Sequence, residues 1–169
     1  MPEPSPASSA SANSGPADPA LTPEQAARRH WMAVLARADA ASLRAALDAH
    51  AGVPAWTRLR GPESGMTMLR ARQGGGGSPF NLGEAAICRC TIRLATGRLG
   101  HAYVLGRDGA HAELAAVFDA LLQEADHAAP LQAAVIAPLA AAQAAQRAAT
   151  ARRAAATRVE FFTMASMRT

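Results

Sequence analysis

Apolar positions between residues 22 and 50 recur at three and four residues, the spacing of a helix with one buried face. Ala27, Trp31, Val34, Leu35 and Ala38 share that face, while Arg28, Arg29 and Arg37 point elsewhere. Thr22, Pro23 and Gln25 supply an N-cap, a proline at the first helical position and a capping-box partner at the third, so order is expected to begin at Thr22. Leu43, Ala46, Leu47 and His50 continue in a second helix that Gly52 can end in a left-handed conformation. The period then falls to two. Met66, Met68 and Arg70 alternate with Thr67, Leu69 and Ala71, which predicts a first strand over Met66 to Arg72. Ala86, Cys88, Cys90, Ile92 and Leu94 alternate with Ile87, Arg89, Thr91 and Arg93, a second strand with one apolar face and two arginines on the other. The turn Thr96-Gly97-Arg98 leads into a third strand, Leu99 to Leu105, paired with the second as an antiparallel hairpin. Asp108 then caps a helix whose Leu114, Val117, Phe118, Leu121 and Leu122 should cover the sheet.

Beyond Pro130 the pattern is helical again, with an interruption expected at Pro138 and an alanine-rich run to Ala156 that has high helix propensity and little to bury. Such a helix calls for a partner. Phe161, Phe162 and Met164 crowd apolar side chains into the end of the chain, where a free tail would be polar, and read as a docking tail. Residues 1–21 are nearly all Pro, Ser, Ala, Asn and Gly and read as a disordered leader, because they cannot bury enough surface to offset their ordering entropy. The expectation is an α+β fold: a small antiparallel sheet flanked by N-terminal helices and a long Ala-rich C-terminal helical region, in a single domain spanning 22–169.

Composition narrows the chemistry. The 169 residues suit one domain, and although 50% are hydrophobic, only 4% are aromatic, so the core is small and alanine-rich. All 17 basic residues are arginine, which excludes a P-loop lysine or a Schiff-base lysine. By this reading no run approaches the roughly 18 to 20 apolar residues that span a bilayer, and no secretory signal pattern opens the chain, so a cytoplasmic protein without membrane segments is expected. Eight arginines and three acids lie between Trp56 and Asp108, so the sheet region carries the net positive charge. Guanidinium groups on a strand face, beside the backbone of Gly74, Gly75, Gly76 and Gly77, suit bidentate capture of an anion; the alternative is a solvated face paired with acids of this chain or a neighbour. Nucleic acid is disfavoured because too few aromatic side chains accompany the arginines.

Candidate chemistry is sparse. Cys88 and Cys90 share a strand face, but no histidine spacing completes a metal set, so buried thiols are expected and no metal. His101, His111 and Glu113, with Arg107 and Asp108, could form an acid-base cluster; Asp108 and Glu113 also fit as first-turn acids of a helix.

Several segments resemble one family in order: Arg29 to Ala36, Leu59 to Met66, Arg72 to Glu84, Cys88 to Leu94, Gly100 to Asp108 with His111 to Glu113, and Arg158 to Met164. They resemble PhnG, the small subunit of the bacterial carbon-phosphorus lyase core complex, over roughly residues 24 to 166. The resemblance implies an accessory subunit that acts with subunits H and I and the ABC-type protein L to displace adenine from ATP with a phosphonate. The product is a ribose 1-phosphonate 5-triphosphate, processed later by the radical subunit J. It implies that nucleosidase chemistry resides in subunit I, that MgATP is a substrate of the complex, and that no cofactor is bound by this chain alone. Under this implication Arg72, Arg89, Arg93 and Arg107 face the interface or pocket shared with subunit I, oriented by Glu84 and Asp108. A stand-alone module for a phosphorylated anion, or a purely structural scaffold, are the other classes.

Overall fold

A computed structural model describes residues 21–72 and 77–157. The expected docking tail at Phe161, Phe162 and Met164, the leader, and Gly74, Gly75 and Gly76 lie outside the described residues.

The order of elements is α1 (Pro23–Leu35), α2 (Ala40–Ala49), β1 (Trp56–Arg72), β2 (Pro79–Leu94), β3 (Leu99–Leu105), α3 (Gly109–Leu121) and α4 (Ala125–Leu131). A π-helical turn (Gln132–Ile136) follows, then α5 (Ala137–Ala156). The fold is α+β, with one antiparallel sheet in the order β1-β2-β3 and helices on one face. The capping box forms as the spacing requires: Gln25 N donates to Thr22 Oγ1 at 3.2 Å and Thr22 N to Gln25 Oε1 at 3.0 Å. Trp31, Val34 and Leu35 from α1 join Leu43 and Leu47 from α2 in the core. The long centre of that core is α3, whose Leu114, Val117, Phe118 and Leu121 are buried against Cys88, Cys90, Ile92 and Leu94 of β2. Gly100 on β3 permits this approach: a Cβ there would collide with the Ala116 carbonyl oxygen.

Three expectations change. The first strand begins at Trp56, ten residues before Met66, and the second begins at Pro79 instead of Ala86, so β1 and β2 form one long hairpin. Register shifts at Arg58/Arg60, Arg60/Glu63 and Leu69/Arg70 break the strict alternation by which such strands are recognised. Pro138 does not interrupt the helix. The π turn immediately before it absorbs the missing N–H donor, and helix continues from Ala125 to Ala156. Third, this helix is long and apolar enough by length and composition to cross a membrane, contrary to the expectation from apolar runs; the difference is its alanine content, and Leu131, Val135 and Ile136 of the same stretch are buried in the protein core.

Candidate functional site

Among the described residues, helices cover only one side of the sheet. By register, Cys88, Cys90, Ile92 and Leu94 face α3, together with Ala102 and Val104 of β3. The opposite side is open, and it presents Arg89 opposite Tyr103, Thr91 opposite His101, and Arg93 opposite Leu99. Arg89 and Arg93 therefore share one face, as the spacing predicts. Tyr103 is 58% and Leu105 71% exposed on that side, so apolar and cationic groups are interleaved.

Glu63 of β1 organises this face. Its carboxylate accepts from Arg89 Nε at 3.1 Å and pairs with Arg60, and the Arg60 guanidinium, with Arg89 beside it, holds the Glu63 carboxyl below the usual carboxylate range. Gly61, at φ +70°, lets β1 bend here where a Cβ would meet the Arg89 carbonyl oxygen. Arg93 and Arg107 are exposed and form no ion pair among the described residues. Arg72 lies at the far end of β1 and donates from Nη1 to the Gly77 carbonyl at 3.2 Å. The expected orienting acids do not serve that role. Asp108 caps α3 by accepting from His111 N at 3.0 Å, because it stands at the N-cap, and Glu84 lies exposed opposite Met68 without an ion pair among the described residues.

The three acid-base candidates are dispersed. Glu113 accepts from Trp56 Nε1 at 3.0 Å and from Arg58 at 2.9 and 2.7 Å, which pins β1 to α3 on the covered side. The Arg58 guanidinium, aided by the Trp56 indole, holds its carboxyl below the usual range. His111 is buried, with Nε2 2.9 Å from the Leu35 carbonyl, and so joins α3 to α1. His101 lies on the open side with Nδ1 3.1 Å from Thr91 Oγ1. It also borders a shallow hollow of about 530 Å³ lined in part by Arg28, Arg98, Gln123 and Glu124, which His111 and Glu113 do not reach. Among the described residues these candidates bring no nucleophile and base together. Cys88 and Cys90 are buried free thiols, burial pushes the Cys90 thiol pKa up, and no cluster of three metal-binding side chains occurs among the described residues.

Sequence reasoning missed the most connected charge. Asp119, fully buried in α3, accepts from Arg28 at 3.1 and 2.7 Å, from Trp31 Nε1 at 2.9 Å and from His101 N at 2.9 Å, tying α1, α3 and β3 together. Arg28 therefore does not point away from the core as its place on α1 implies. The signal was present: Asp119 sits between Phe118 and Ala120 in an apolar run, where an acid is retained only with partners.

Residues 26–167 match the family described as phosphonate metabolism protein PhnG. The chain is also 50% identical over 139 residues, 82% of its own length and 88% of the relative's, to the alpha-D-ribose 1-methylphosphonate 5-triphosphate synthase subunit PhnG of Rhizobium meliloti (strain 1021).

Proposed function

The chain belongs to the PhnG family of phosphonate metabolism proteins, and from that premise we propose that it is an accessory subunit of an alpha-D-ribose 1-methylphosphonate 5-triphosphate synthase. The half-identity to a synthase subunit over 82% of this chain and 88% of the relative carries this reading. The dispersal of His101, His111 and Glu113 into separate contacts supports an accessory role over catalysis by this chain alone.

In the complex, a phosphonate oxygen bonds to C1 of the ribose of MgATP as the bond to adenine breaks, and the base leaves with a proton. Both reactants are polyanions, so guanidinium groups near their path offset the repulsion between them. We assign that task, or the matching ion pairs to subunit I, to the open sheet face at Arg89 and Arg93, with Arg107 at its margin, Arg72 farther out at the end of β1, and Glu63 holding Arg89 in place. Subunits H, J and L are the further partners in this reading, the complex acts in the cytoplasm, and this chain binds no cofactor of its own.

The test is adenine release from MgATP plus methylphosphonate by co-expressed subunits with and without this chain, alongside Arg89→Ala/Arg93→Ala. Release should depend on the chain and fall about tenfold or more in the double variant. Release indifferent to the chain would sink the accessory reading. Unchanged assembly and turnover in the double variant would remove the arginine face alone.

A further inference from the structure

β1 and β2 continue well past the last residue of β3. Ile87 pairs with Leu105, the final β2–β3 pair, and beyond it residues 66–72 and 79–86 are strand partners only of each other. At about 3.3 Å per residue the seven residues of the β1 segment extend about 23 Å. The ribbon is unusual in what it exposes. Met66 is 56%, Met68 49%, Leu69 41%, Phe80 46% and Leu82 63% accessible.

The apolar groups occupy both faces. Met66 lies opposite Ala86 and Met68 opposite Glu84, on the side that carries Cys88 and Ile92 toward α3 further along β2. Leu69 lies opposite Gly83 and Ala71 opposite Phe80, on the other side, and the register shift between Leu69 and Arg70 leaves Leu82 without an opposing residue. A solvated hairpin would alternate apolar with polar, and a two-stranded ribbon without a covering layer is marginal in water. A ribbon apolar on both sides needs cover on both sides.

Resting on the subunit reading above, we propose that residues 66–72 and 79–86 are an arm that a neighbouring subunit of the synthase encloses in an apolar groove bearing carboxylates. The charge argument selects the occupant. Arg70 and Arg72 stand near the end of the arm against the single acid Glu84, and the whole segment from Trp56 to Asp108 has eight arginines against three acids. A two-fold contact between two such regions would set arginine against arginine, whereas an acidic subunit complements them.

The test uses the full chain co-expressed with the other synthase subunits and recovered through a tag on one of them. Phe80→Glu and Met68→Glu change exposed side chains, so the isolated variants should keep the wild-type melting temperature within about 2 °C. Recovery of each in the complex should fall about tenfold or more, with Phe80→Arg impaired less than Phe80→Glu because the groove is acidic. Amide exchange in residues 66–72 of the wild type should slow about a hundredfold on assembly. If the wild type assembles and both Glu variants assemble equally, with exchange in the arm unchanged, the arm proposal falls and the subunit reading stands. Failure of the wild type itself to assemble overturns both. A dimer of the isolated chain that the Glu variants dissociate makes a second copy the occupant and overturns the proposal, and a worse loss for Phe80→Arg overturns the acidic groove.

Discussion

From Cys88 to Leu94, β2 lies between two strands with α3 across one face; from Pro79 to Ala86 the same strand has β1 as its one strand partner among the described residues. The first stretch contains Cys88, Cys90, Ile92 and Leu94 at 2% exposure or less, and the second contains Phe80 and Leu82 at 46% and 63%. Alternation within a strand therefore specifies which side chains share a face and leaves open whether that face is covered. Cover comes from α3 and β3, so the stability of the isolated chain is concentrated in one half of a continuous hairpin. The other half contributes apolar surface that the rest of the described residues leave exposed.

The largest effect should come from the charge at the centre of the covered half. Asp119→Ala removes the acceptor for Arg28, Trp31 and the His101 amide at once, leaving part-buried donors unmet, and should cost about 3 to 5 kcal/mol in chemical denaturation. Among the described residues no buried side-chain polar atom lacks a partner, so no slack exists nearby to receive those donors. Ile92→Ala, at a fully buried position under α3, should follow at about 2 to 4 kcal/mol in the same measurement. A loss under 1 kcal/mol at either position would mean that the covered half does not dominate folding.

A smaller, pH-dependent effect belongs to Glu113, which joins β1 to α3 within the covered half. Its carboxyl pKa is depressed in the fold, chiefly by the Arg58 guanidinium. Its contribution is thus complete above the unfolded value near pH 4.3 and is lost as pH falls through the lower folded value. Melting temperatures measured from pH 7 down to pH 3 should drop less steeply for Glu113→Gln than for the wild type. Parallel curves would show that the contact with Arg58 and Trp56 does not couple to folding.

How much of this was legible in the sequence follows from the same division. The capping box at Thr22, the β2–β3 hairpin and the α3 stripe were readable because each is set by local spacing and turn chemistry. The common face of Arg89 and Arg93 was readable from period two alone. The span from Trp56 to Glu63 was hidden by two register shifts and a Gly-Pro pair, and the start of β2 by Pro79 and Gly83, residues that ordinarily argue against a strand interior. Glu63 as the partner of Arg89, and Arg28 as the partner of Asp119, join residues 26 and 91 positions apart, and no local pattern encodes such pairs. The acid-base cluster failed for the converse reason: His111 and Glu113 are close in sequence, yet their side chains bond to α1 and β1 respectively.

The smallest effect gives the sharpest test of the comparison. Leu82→Ala and Ile92→Ala delete the same number of carbons from one strand, ten residues apart. At Ile92 the deletion opens a cavity beneath α3, whereas at Leu82, already 63% exposed, solvent fills the space and little transfer energy is forfeited. Leu82→Ala should therefore shift chemical denaturation of the isolated chain by no more than about 0.5 kcal/mol. In the assembled synthase the same change should matter more, because the enclosing subunit would then supply the missing cover and leave a void at that position. Equal losses for Leu82→Ala and Ile92→Ala in the isolated chain would mean that the arm packs within this molecule, and the division between a folding half and an assembling half of β2 would have to be abandoned.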